Sequence, residues 1–212
     1  MVFDSTATKG DAMIDETKMT LARDWIGQVE IDGWLASEKL NGCRAYFDGR
    51  RFWTRSGNII AAPEWFVRGL PAMHLDGEIN CGRDGKRGKA SFEVARVAVQ
   101  NGGKWFEEVS PITATPIVFS VFDAPQVVGT WRQRMASASR AVKKCACAAA
   151  VEFQRVRMGL PSQLRAGEIS FVDYMLRVAR LGGEGAMFRH PKAIGYTAGR
   201  TETLLRFKLL EN

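Results

Sequence analysis

The chain has 212 residues, 46% of them hydrophobic and 25% charged, the balance of an ordinary globular protein rather than a disordered or fibrous one. A net charge of +7 suits a polyanionic partner such as DNA or RNA, because basic surfaces bind phosphate by releasing counterions. No run is long enough to span a membrane and no apolar stretch follows Met1, which points away from a membrane partner and towards the cytoplasm of a bacterial or phage-infected cell.

In chain order, residues 1 to about 18 are rich in Asp, Thr, Ser and Ala and read as a loosely held arm, while Met19 to Gln28 has helical spacing. Residues 1–30 are therefore expected to form an arm and helix ahead of a domain over 31–212. Trp34 to Lys39, Cys43 to Phe47 and Arg51 to Arg55 are short strand-like runs separated by Asn41-Gly42 and Asp48-Gly49, dipeptides that favour tight hairpin turns, so an antiparallel meander is predicted. Ala62 to Arg68 reads as a short helix with Pro63 in its first turn. His74 to Asn80 reads as a strand and Ser91 to Gln100 as an amphipathic helix, joined by the basic, glycine-rich segment Gly82 to Lys89. That segment is a solvated loop or a contact for DNA phosphates.

Pro116 to Asp123 is a buried strand by its β-branched and aromatic content. Trp131 to Ala150 is Ala-rich and predicted helical, Val151 to Arg157 a strand, and Ser162 to Leu181 a helix capped by Ser162 and stopped by Gly182 and Gly183. Gly185 to Arg189 and Thr203 to Leu209 complete the strands. Strands and helices mix without a strict alternation, which makes the class α+β. Cys43, Cys81, Cys145 and Cys147 form no C-x-x-C, and His74 and His190 are distant, so a structural zinc site is not expected.

The chemistry-bearing segment is Ser37 to Arg44, SEKLNGCR, with a lysine at a strand end before an Asn-Gly pair. A neutral lysine amine is a nucleophile, and nearby cations or a metal lower its pKa and activate it. Read alone, K-x-x-G-x-R is also the pattern of a solvated surface lysine. Further along stand TRSGN (Thr54 to Asn58), LDGE (Leu75 to Glu78), VFDAP (Val121 to Pro125), EGAMFR (Glu184 to Arg189) and LLRFK (Leu204 to Lys208). The six segments resemble, in order, the nucleotidyltransferase motifs of the ATP-dependent DNA ligases, most like the small bacterial and phage enzymes.

That resemblance implies a fold of two antiparallel β-sheets flanked by helices, with ATP in the cleft between them, in a DNA ligase (ATP) that acts in repair or replication. It implies Lys39 as the nucleophile that takes AMP and hands it to the 5′-phosphate of nicked duplex DNA. Glu38, Asn41, Arg44, Glu78, Phe122, Glu184, Arg206 and Lys208 would bind the nucleotide: Arg44 at the ribose or phosphate, Phe122 stacked on adenine, Arg206 and Lys208 on the α-phosphate. Glu78 and Glu184 would hold Mg²⁺ or Mn²⁺, and Thr54 and Arg55 would meet DNA. The motif pattern K-x-D-G-x-R has Asn41 at its aspartate position here, and the first lysine of the last motif is Arg206.

Such ligases continue into an OB-fold domain after the last motif. The expectation is a monomeric catalytic part without that domain. The rival readings are an RNA ligase or capping-type nucleotidyltransferase, or an impaired nucleotidyltransferase-like module that only binds nucleic acid.

Overall fold

The computed structural model describes residues 18–81, 89–101, 105, 117–159 and 161–209. The first 17 residues, expected to be an arm, and most of the basic glycine-rich segment (82–88) lie outside the described residues.

The strands are β1 (Thr20–Asp24), β2 (Leu35–Glu38), β3 (Cys43–Asp48), β4 (Phe52–Thr54), β5 (Ile59–Ile60), β6 (His74–Cys81), β7 (Ile117–Asp123), β8 (Ala148–Ala150), β9 (Phe153–Arg157), β10 (Glu168–Ser170), β11 (Gly185–Arg189) and β12 (Gly199–Lys208). The helices are α1 (Glu64–Val67), α2 (Lys89–Asn101), α3 (Trp131–Val142) and α4 (Phe171–Arg180). Two six-stranded sheets form. Sheet A runs β1-β12-β11-β2-β9-β10 and sheet B runs β5-β4-β3-β6-β7-β8. Most pairings are antiparallel, but β1–β12, β9–β10 and β7–β8 are parallel, so both sheets are mixed rather than antiparallel throughout.

Each sheet has its own core. On sheet B, Phe47, Phe52, Leu75, Ile79, Ile117, Phe119 and Val121 pack with α1, α2 and α3 through Phe66, Ala95, Ala98 and Ala138. On sheet A, Ala36, Val156, Ala186, Phe188 and Leu205 pack with Tyr174, Met175 and Val178 of α4. Alternation along β7 is strict: Ile117, Phe119, Val121 and Asp123 are buried while the residues between them are half-buried, the period-two pattern of a pleated strand.

Four expected elements differ. Met19 to Gln28 is not a helix. Thr20–Asp24 is a strand because it pairs in parallel with β12 almost the whole chain away, a partner no local spacing reveals. The first three strands are not one meander. β3 and β4 pair around Asp48-Gly49, with Gly49 at φ 92°, but β2 belongs to sheet A, between β11 and β9. Asn41-Gly42 is thus a crossing between sheets, and a Cβ at Gly42 would run into the Ile79 carbonyl oxygen and lie 2.9 Å from Asn80 Cβ.

The helix expected over Trp131 to Ala150 stops at Val142, and Ala148–Ala150 pairs with Phe119, Ser120 and Val121 at the edge of sheet B. Pairing outweighs the helix preference of alanine there. The long helix from Ser162 is a 3₁₀ turn, then β10, then α4. Its cap is Ser170, whose hydroxyl accepts from the Asp173 N–H at 3.0 Å. β10 intervenes because Glu168, Ile169 and Ser170 pair with Arg155, Val156 and Arg157.

Candidate active site

The two sheets meet where β2 ends and the chain crosses to β3, and Lys39 stands at that crossing. Its N–H donates to the Gly185 carbonyl at 2.8 Å, which fixes its backbone to the start of β11. Glu184, one residue earlier, brings its carboxylate to the lysine: Lys39 Nζ lies 2.6 Å from Glu184 Oε2. The antiparallel register that sets Gly185 opposite Lys208 brings a second ammonium, with Lys208 Nζ 3.4 Å from Glu184 Oε1. One carboxylate therefore bridges two lysines at the sheet A side of the cleft.

Sheet B supplies the opposite wall. Leu75 and Ile79 of β6 enter the core, while Glu78 lines the cleft. Arg44 on β3 is registered with Glu78 but reaches Asp76, with Nε at 2.8 Å from Oδ1 and Nη2 at 2.5 Å from Oδ2. Asp76 is completely buried, and these donors satisfy its carboxylate oxygens. Burial pushes the Glu78 carboxyl up to about 7; Arg44 and Lys39 pull it down, and Asp76 and Glu184 add to the rise. A carboxyl poised near neutrality beside an amine is a common mark of a functional site.

Phe122, at the end of β7, lines the cleft with the Arg44 guanidinium 4.9 Å and the Arg189 guanidinium 6.0 Å from its ring centre. The next residue, Asp123, is fully buried and holds Arg134 at 2.6 Å and Arg189 at 3.3 Å. Trp131 donates from its indole N–H to the Phe122 carbonyl at 2.7 Å, so the backbone under the ring is anchored from α3.

The cleft gathers Glu38, Lys39, Arg44, Arg55, Glu78, Phe122 and Arg206 of the expected site. Arg55 is exposed at its rim. Arg206 is held by Asp24 of β1, at 2.6 Å and 3.1 Å. Thr54 does not line the cleft. Its hydroxyl accepts from the Asn58 N–H at 3.0 Å and closes the TRSGN turn that carries Arg55. Asn41 is half-buried in the crossing and is also not a lining residue.

Among the described residues no three His, Cys, Asp or Glu side chains converge as a ready metal cage. Sequence reasoning passed over Asp76, although it stands inside LDGE, and it passed over Tyr196, Arg189 and Thr20. Asp76 could have been found from its motif. Tyr196 carried no local signal, because what marks it is a partner 120 positions away.

No family model matches the chain. A curated DNA ligase of Haemophilus influenzae is 26% identical over 186 residues, covering 84% of this chain and 59% of that protein. A solved structure from a structure-function study of Lig E DNA ligases superimposes with a TM-score of 0.69 at 26% identity, over 91% of this chain and 68% of that one. In both sequence and fold the chain is similar to DNA ligases. Chlorella virus DNA ligase-adenylate shares the fold, with a TM-score of 0.66 at 21% identity over 91% of this chain and 67% of its own. The bacteriophage T7 ATP-dependent DNA ligase shares it too, with a TM-score of 0.58 at 13% identity over 91% of this chain and 68% of its own. The chain spans 59% of the length of its Haemophilus ligase relative. No helix among the described residues is long and apolar enough to cross a membrane.

Proposed function

We propose that this ligase domain transfers the adenylyl group of ATP to Lys39 and passes it to the 5′-phosphate at a nick in duplex DNA. The observation that carries the reading is the lysine–carboxylate–lysine bridge of Lys39, Glu184 and Lys208 beside a cleft lined by Arg44, Glu78 and Phe122. The Lys39 Nζ lone pair attacks the α-phosphorus, the bond to the pyrophosphate oxygen breaks, and the amine proton leaves. AMP then moves from the lysine to the 5′-phosphate, and the 3′-hydroxyl displaces it to close the backbone.

Lys39 Nζ is paired with the Glu184 carboxylate, and that contact must open for the nitrogen to reach the α-phosphorus. Arg206 and Lys208 would meet the α-phosphate, Phe122 would stack on adenine, Arg44 would bind the ribose or phosphate, and Glu78 would contact the ribose. Arg55 at the rim would hold the 5′-phosphate of the nick. Glu78 and Glu184 fit Mg²⁺ or Mn²⁺, since such ions take one or two carboxylates and complete their shell with phosphate oxygens and water. When bound, the ion would neutralise triphosphate charge. None of the four cysteines forms a disulfide, in keeping with a reducing cytoplasm as the place of action.

The test is transfer. The chain is incubated with ATP and Mg²⁺, freed of ATP, and given nicked duplex DNA. The reading expects AMP to leave the protein and appear on the 5′-phosphate of the nick. AMP that stays on the protein with nicked DNA, and moves instead to single-stranded RNA ends, would assign the domain to RNA ligation.

A further inference from the structure

Four residues close a ring behind the cleft. Arg44 gives Nε and Nη2 to Asp76, and Nη2 also donates to the Thr20 carbonyl at 3.0 Å. The Tyr196 hydroxyl donates to Asp76 Oδ2 at 2.5 Å and accepts from the Thr20 N–H at 3.0 Å. Arg44, Asp76, Tyr196 and Thr20 are thereby joined through the N–H and the carbonyl of one residue, Thr20, and both oxygens of one buried carboxylate. The segment that carries Tyr196 is itself anchored on both sides. The Gly195 N–H donates to the Gly129 carbonyl at 3.0 Å, the Thr20 hydroxyl to the Thr197 carbonyl at 2.5 Å, and the Gly199 N–H to the Met19 carbonyl at 2.8 Å.

The ring leaves a definite remainder. A guanidinium has five N–H groups, and three of Arg44's are used here, one on Nε and both on Nη2. Among the described residues the recorded bonds of Arg44 leave both Nη1 N–H groups for the cleft, which Arg44 lines beside Phe122. Burial and the Asp76 charge push the Tyr196 phenol well above its ordinary pKa, so it stays a donor at every working pH.

We propose that Tyr196 is a positioning residue for the nucleotide: it fixes Asp76 and Thr20, and these present the Nη1 edge of Arg44 to an oxygen of the bound ligand. That the ligand is ATP rests on the adenylyl-transfer reading; the ring itself does not. Tyr196 lies in none of the six motif segments, and Thr20 lies in what local spacing makes a helix. The first strand thus belongs to the ligand-binding wall, holding Arg44 through the Thr20 carbonyl.

The experiment compares the full chain with Tyr196→Phe, Arg44→Ala, their double variant, and Tyr174→Phe as a control that removes a phenol from the core of α4. Tyr196→Phe is expected to raise the KM for ATP in self-adenylylation about tenfold, the scale of one lost hydrogen bond in a charged network, with the saturated rate changed less than about twofold. In the Arg44→Ala background the same change should move KM less than about twofold, because the positioned group is gone. An equal rise in both backgrounds, or an equal rise from Tyr174→Phe, would mean a general structural role and overturn the proposal. A second readout needs no nucleotide: the Arg44 Nε–H resonance, assigned by its loss in Arg44→Lys, should exchange with water faster in Tyr196→Phe. Unchanged exchange overturns the proposal. Absence of any AMP on the native chain, with faster Nε–H exchange in Tyr196→Phe, would sink the adenylyl-transfer reading and leave the positioning of Arg44 intact.

Discussion

The two walls of the cleft are built to opposite rules. On sheet B, Arg44 is clamped by a carboxylate with no solvent exposure, which Tyr196 holds in turn. On sheet A, Glu184 shares itself between Lys39 and Lys208, with side-chain exposures of 18%, 19% and 56%. Coulomb attraction between buried groups resists change, whereas half-wet ion pairs exchange partners at small cost. A wall that only positions can be locked. A wall whose lysine, on the adenylyl-transfer reading, loses a proton and gains a phosphorus cannot be.

The contrast predicts a ranking of stability losses. Asp76→Ala should be the largest, about 3–5 kcal/mol by chemical denaturation, because it strands a guanidinium and a phenol inside the protein. A loss as small as that of a surface pair would erase the distinction between the walls. Gly42→Ala comes next, at about 1–3 kcal/mol, since the methyl group meets the Ile79 backbone at the crossing between sheets. Glu184→Gln should cost less than about 1 kcal/mol of stability while lowering the adenylylation rate by more than about tenfold. Stability and activity would then separate on one wall and fall together on the other.

The smallest effect is a pH dependence. Glu78 has its pKa raised from the ordinary glutamate range to about 7 in the folded state. Between those values the folded form binds more protons than the unfolded one, so stability falls as pH rises through the interval. Glu78→Gln should therefore stabilise the domain at pH 8 and make little difference at pH 4, as read by thermal melting. An advantage for the variant at pH 4 only would contradict the raised pKa.

Much of this was legible in the sequence, and unevenly so. β6 and β7 carry their own alternation, and the Asp48-Gly49 hairpin announces itself through a glycine that takes positive φ. Lys39, Glu78, Phe122 and Arg206 stand in ordered motif segments and do meet in one cleft. What local spacing could not reveal is pairing at a distance. Thr20–Asp24 is a strand only because β12 is there, and Ser170 rather than Ser162 caps α4 because β10 pairs with β9 first. Asn41-Gly42 has the composition of a hairpin turn but serves a close approach to Ile79. Tyr196 was invisible for the same reason, since its importance lies wholly in Asp76 and Thr20.

The central claim is that Lys39 is the adenylylated nucleophile, and peptide mapping by mass spectrometry after incubation with ATP and Mg²⁺ tests it most directly, with the samples kept out of prolonged acid because a phosphoramidate is acid-labile. The account predicts one AMP on the peptide that contains Lys39, and none anywhere in Lys39→Ala. AMP on Lys208, the other lysine bridged by Glu184, or on Lys39→Ala at the native level, would contradict it.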